Sequence, residues 1–218
     1  MPQLHFDFGD QNTLGSVSFQ ATWLPAGTSP LPIAQLQSRF PARDFTSLPG
    51  FRLLEHSAVH LALEALGIHD EILHEDNGAP RFGQQQDLEL SISHSRHPDL
   101  GIAAAVAISA RESTHGRLGV DVEFPRDTLL LVAPRIFTED EMQRATTMEA
   151  ACGVWCLKEA AWKGWGPALD YSEDIAFLSQ VGQVGRFEAE VLGNRRQYVL
   201  GKATQENLPW WSVVGPVN

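Results

Sequence analysis

Trp155-Cys156-Leu157-Lys158-Glu159-Ala160-Ala161-Trp162-Lys163 is the stretch around which this chain organises itself. Two shorter stretches precede it, Ser91-Ile92-Ser93-His94-Ser95 and Gly119-Val120-Asp121-Val122-Glu123. The spacing of the longest predicts a helix from about Glu149 to Gly164, with Glu159 and Lys163 on one face of it. Trp155, Leu157 and Trp162 surround those charges with bulky apolar side chains, and Lys158 adds a second cation. Leu118 to Glu123 reads as a strand, so Asp121 and Glu123 point to the same side.

Working outward, Val17, Phe19, Ala21 and Trp23 alternate with polar residues as in a half-buried strand. Pro25, Pro30, Pro32, Pro41 and Pro49 break the segment 25–50 into irregular chain with at most one short helix. Apolar spacing from Arg52 to Leu66 predicts a helix stopped by Gly67. Leu88 to Ser93 and Gly101 to Ile108 read as strands flanking a turn at His94, and the polar run 109–116 as a link between lobes. Thr138 and Glu141 have the spacing of a capping box. Strands are expected near Arg186–Leu192, Gln197–Lys202 and Trp210–Val214, with Gly193-Asn194 as a hairpin turn. This order predicts an α+β chain of two lobes in tandem, residues 1–112 and 113–218.

Composition narrows the chemistry. The 218 residues are 43% hydrophobic, enough for a substantial core, and the net charge of −11 argues against a nucleic-acid or anionic-membrane surface. An anionic ligand would need a local cationic patch or a metal ion. Cys152 and Cys156, four apart in one predicted helix, read as small core residues and not as a disulfide framework. Met1 to Asp10 lacks the basic and apolar regions of a secretory signal, and the longest apolar run, Ile102 to Ile108, is too short to cross a bilayer. A cytoplasmic chain is expected.

Taken singly, the charged motifs are ambiguous. Asp121 and Glu123 suit Mg²⁺, which prefers oxygen ligands completed by water and phosphate, but a solvent-facing acidic pair has the same spacing. Glu159 and Lys163 could be a plain helix salt bridge, or part of a site that neutralises phosphate and activates a hydroxyl. His94 could meet a phosphate or be structural. Asn77-Gly78-Ala79-Pro80-Arg81-Phe82 could let a flat ring approach the backbone, or be only a turn.

Taken in order, Gly78-Ala79-Pro80, Ser93-His94-Ser95, Gly119 to Glu123 and Trp155 to Lys163 resemble the signature of 4′-phosphopantetheinyl transferases of the larger, two-lobed, surfactin-synthetase-activating type. The resemblance spans residues 78–163 and implies a monomer of two similar lobes related by a pseudo-twofold axis. It also implies transfer of phosphopantetheine from coenzyme A to a serine of an apo acyl or peptidyl carrier protein, the holo-acyl-carrier-protein synthase reaction. Asp121, Glu123 and Glu159 would hold Mg²⁺, or Mn²⁺ in its place, with Glu159 also the base. Lys158 and Lys163 would stabilise phosphate charge, Lys163 as a catalytic residue. Arg52, Gly78, Pro80, Arg81, Ser93 and His94 would line the coenzyme A site. The chain departs from the family pattern at Ala79, where a lysine is usual and whose charge Arg81 could supply, and at His56 and His60, where arginines are common. An apolar carrier surface is expected between Phe137 and Met148. The alternative is a non-catalytic relative that binds coenzyme A or a carrier. Carrier and pathway, whether fatty acid, polyketide, nonribosomal peptide or lysine, stay open.

Overall fold

The computed structural model describes residues 6–7, 17–111, 118–166, 168–178, 185–203 and 211–217. In chain order its elements are β1 (Phe6–Asp7), β2 (Ser18–Leu24), α1 (Ile33–Arg39), α2 (Gly50–Ala65), β3 (Ile72–His74), β4 (Pro80–Phe82), β5 (Leu88–His97), β6 (Gly101–Ala110), β7 (Gly119–Glu123), α3 (Asp127–Ile136), α4 (Glu139–Arg144), α5 (Met148–Trp165), β8 (Ile175–Phe177), β9 (Gly185–Val191), β10 (Asn194–Ala203) and β11 (Trp211–Val217). The α+β expectation holds.

Local chemistry accounts for most boundaries. α1 and α2 begin directly after Pro32 and Pro49, and α2 ends at Leu66 with Gly67 at φ +73°. α4 carries the expected capping box: Thr138 Oγ1 accepts from Glu141 N–H, and Glu141 Oε2 accepts from Thr138 N–H. The β9–β10 hairpin turns at Leu192-Gly193, one residue earlier than expected, with φ of 50° and 73°. α3 was not expected; it carries Pro134 in its last turn, where the missing N–H forfeits one bond to the Leu130 carbonyl just before the helix ends. The link expected over 109–116 lies mostly outside the described residues, although β6 reaches Ala110.

Two antiparallel sheets result. One is three-stranded, in the order β2-β6-β5; the other runs β7-β11-β10-β9-β8, with β1 added on β10. β1 therefore crosses the expected boundary at residue 112. β6 is covered on both faces, which is why its sequence runs apolar without alternation. Ala104, Val106 and Ile108 pack with Ala58, Val59, Ala62 and Leu63 of α2. Ala103, Ala105 and Ala107 meet Val120, Val122 and Val199 of the larger sheet. The other face of that sheet is sealed by α5, through Cys156, Leu157, Ala160 and Ala161 against Ala189, Val191, Tyr198 and Leu200. Both cysteines are buried there and unbridged, as expected.

The sheets meet at β5 and β7. β7 is an edge strand whose outward N–H groups need partners. Alternate side chains of β5 supply them: Leu118 N–H donates to Glu89 Oε2 (2.9 Å), Val120 N–H to Ser91 Oγ (2.9 Å) and Phe124 N–H to Ser95 Oγ (3.4 Å). The expected turn at His94 is thereby corrected. β5 runs unbroken to His97 and turns at Pro98-Asp99-Leu100, because the serines form a regular period-two row facing β7.

Gly119 marks the closest approach of α5 to β7: a Cβ there would sit 1.8 Å from the Ala160 carbonyl oxygen. Gly119→Ala should cost about 3 kcal/mol or more in urea unfolding. A loss under about 1 kcal/mol would show that α5 can move off the sheet.

Candidate active site

Asp121 and Glu123 project from β7 on the side facing α5, where residues 159 and 163 share a helix face. Lys163 Nζ lies 2.6 Å from Asp121 Oδ1 and 2.8 Å from Ser93 Oγ. Ser93 in turn donates to Asp121 Oδ1 at 2.7 Å, and Ser95 donates to Glu123 Oε2 at 2.6 Å. Glu123 Oε1 accepts from Arg126 (3.1 Å) and from Trp155 Nε1 (3.3 Å). Glu159 Oε1 accepts from the Tyr171 hydroxyl at 2.9 Å.

The electrostatics follow from crowding like charges in a poorly hydrated place. Burial first, and then the charge of Asp121, push the Glu123 carboxyl up to about 7. Burial followed by Asp121 also raises Glu159, against the lowering pull of Lys163 and Tyr171. Burial opposes the Lys163 ammonium, but Asp121, Glu159 and Glu123 together outweigh it and hold its pKa above the usual lysine value. Among the described residues no three His, Cys, Asp or Glu side chains stand close enough to hold an ion as they are. In kind, though, the donors fit a hard divalent cation: all three are carboxylates, and they share a deficit of positive charge that Lys163 only partly meets.

A cavity of about 570 Å³ adjoins this cluster. Gly78, Ala79 and Pro80 from the β3–β4 turn form one wall, Ser91 and Ile92 of β5 another, and Trp162, Lys163 and Trp165 of α5 a third. Gly78, at φ +85°, makes that turn. Lys163 thus touches both the cavity and the carboxylates. Arg81 does not line this cavity. Strand alternation turns it into a second one of about 440 Å³, with His74 and Gln85. Arg111, which sequence reasoning passed over, borders both.

Two expected ligand contacts are corrected. Lys158 is fully buried; it pairs with Glu141 at 2.9 Å and donates to the carbonyls of Tyr171 (2.5 Å) and Ile175 (2.6 Å). It staples α4, α5 and the segment before β8, and a phosphate cannot reach it. Ser93 is buried as well, with its hydroxyl spent on Asp121 and Lys163.

The first-half cations are arranged differently from expectation too. Arg52 donates to Glu55 at 2.8 Å, and the other oxygen of Glu55 is 3.8 Å from His94 Nδ1. Glu55, unseen in the sequence reading, links these two exposed groups. His56 packs edge-on against Phe40 and Phe45, and burial, then the charge of Arg43, drives it down to about 4. His60 is buried between Gln35 and Glu64. Both histidines therefore serve packing. In the apolar surface expected over Phe137–Met148, Phe137 is buried and Met142 exposed; Leu130 and Leu131 of α3 stand out instead, Leu131 at 76% exposure.

Without a metal, Glu123 keeps a proton in the folded state up to about 7 that the unfolded chain releases near 4.5. The stability this contributes is present below the lower value and is lost as pH rises to the upper one. In EDTA, Glu123→Gln should therefore gain on the unmodified protein across that window, on the order of 2–3 kcal/mol in urea unfolding. A difference that stays constant with pH would contradict the raised carboxyl.

Comparison with known proteins gives one match and one blank. No curated protein matches the chain. Among the described residues no helix is long and apolar enough to cross a membrane. Residues 117–206, which include β7, α3, α4, α5 and the carboxylates on β7 and α5, match the family model of the 4′-phosphopantetheinyl transferase superfamily.

Proposed function

We propose that this chain transfers 4′-phosphopantetheine from coenzyme A to a serine of an apo acyl or peptidyl carrier protein, with release of 3′,5′-ADP. One observation carries the reading: Lys163 joins the Asp121 carboxylate to a cavity walled by the Gly78–Pro80 turn, and both charged residues lie in the segment that matches the transferase-superfamily model. In this reading residues 1–112 and 113–218 are two lobes of a monomer, with the site in their seam.

Asp121, Glu123 and Glu159 would hold Mg²⁺, or Mn²⁺ in its place, and the ion would neutralise pyrophosphate charge. The chain's own residues do the rest. Glu159, its pKa raised, accepts the proton of the carrier serine as that oxygen attacks the phosphorus bearing pantetheine. The bond to 3′,5′-ADP breaks and its electron pair leaves with the nucleotide. Lys163 stabilises the charge that develops on the phosphate oxygens. Gly78 and Pro80 lie along the nucleotide, while His94 and Arg52 meet its phosphate from the first lobe. Arg111, in place of Arg81, supplies the charge missing at Ala79. Leu130 and Leu131, flanked by Arg126 and Arg135, offer an apolar and basic surface to an acidic carrier helix.

One observation favours the non-catalytic relative that only binds coenzyme A or a carrier. His56 and His60 are packing residues, so the cation set for coenzyme A is thin.

Incubation with coenzyme A, Mg²⁺ and a panel of apo carriers should add one phosphopantetheine to a carrier's intact mass. EDTA should abolish the gain, and Glu159→Gln should slow it by at least about 100-fold without loss of fold. No gain on any carrier, with coenzyme A binding retained, would establish the binding relative instead. Ala79→Lys should tighten coenzyme A binding several-fold by calorimetry; an unchanged affinity would mean that Arg111 already supplies enough charge.

A further inference from the structure

We propose that Tyr171 is the positioning residue of this site, its hydroxyl setting the orientation of the Glu159 carboxylate. The proposal rests on the functional reading above. Residues 155, 159 and 162 occupy one face of α5, and Tyr171, on the turn after the helix, folds back over that face. Its ring is sandwiched between Trp155 and Trp162, with centroids 6.0 and 5.9 Å away and planes within 6° and 15° of parallel. Its carbonyl accepts from the buried Lys158 ammonium, and its hydroxyl donates to Glu159 Oε1 at 2.9 Å.

Ring, backbone and hydroxyl are thus each fixed by a different partner. Oε1 of Glu159 is committed to Tyr171, which leaves Oε2 to turn toward a proton or an ion. Trp155 performs the same service for Glu123 through its indole N–H. One aromatic stack therefore orients a carboxylate of α5 and a carboxylate of β7 together. The buried Lys158–Glu141 pair gains a purpose: it anchors the turn that carries Tyr171.

Tyr171→Phe keeps the stack and removes only the hydroxyl. Mn²⁺ affinity, measured by equilibrium titration of the whole protein, should fall about 10-fold, as should kcat, while KM for coenzyme A stays within about 2-fold. Near-ultraviolet circular dichroism of the tryptophans should be unchanged. In a Glu159→Gln background the same substitution should alter Mn²⁺ affinity by less than about 2-fold, because its target is already gone. Unchanged Mn²⁺ affinity in the single variant would overturn the proposal, and so would a full effect in the Glu159→Gln background. The titration needs no turnover, so a wild-type protein inactive on every carrier would count against the transferase reading alone.

Discussion

The contact on which the rest of this molecule depends is the row of β5 side chains against the edge of β7. Backbone N–H groups of an edge strand must be satisfied, and here the partners are Glu89, Ser91 and Ser95, not a neighbouring backbone. Each such bond contributes about 1 kcal/mol, and those to carboxylates somewhat more. Their larger effect is geometric. The same row reaches Asp121 and Glu123 through Ser93 and Ser95, so the register that joins the sheets also aims the two carboxylates. Serine suits this role, because its short side chain brings the strands close and its hydroxyl can donate and accept at once.

α5 completes the arrangement by presenting unlike faces. Lys158 and Lys163 are separated by little more than a turn, yet their fates differ. Lys158 points into the protein, where Glu141 and two carbonyls satisfy it; removing it would strand a buried carboxylate. Lys163 points to the β7 carboxylates and the cavity, where its charge is partly exposed and usable. Gly119 and Ala160 let helix and strand approach closely enough for Lys163 to reach Asp121.

Much of this was legible in the sequence. α2, α5, β7 and the capping box of α4 carry strong local signals; strand periodicity paired Asp121 with Glu123 and helical periodicity paired Glu159 with Lys163, while only the family resemblance joined the two pairs. What was not legible depends on tertiary partners. A neighbouring strand edge carried the strand read over Leu88–Ser93 on through His94 and Ser95, where a turn was expected. Lys158 reads as a free cation until Glu141 is found opposite it. Tyr171 sits in a turn, where no periodicity marks it, and only the stack of Trp155 and Trp162 reveals its aim. Nothing in the sequence marks Glu55, which ties Arg52 to His94 across two elements.

In the proposed function β5 holds β7 so that Asp121, Glu123 and Glu159 can draw together on one ion beside Lys163. Crystals grown with Mn²⁺ and coenzyme A, measured at an energy where manganese scatters anomalously, test it directly. The account predicts an anomalous peak within about 2–2.3 Å of oxygens from all three carboxylates, with Lys163 drawn off Asp121 toward the phosphates. A peak elsewhere, or coenzyme A bound while Lys163 still pairs with Asp121 and no ion is present, would contradict it.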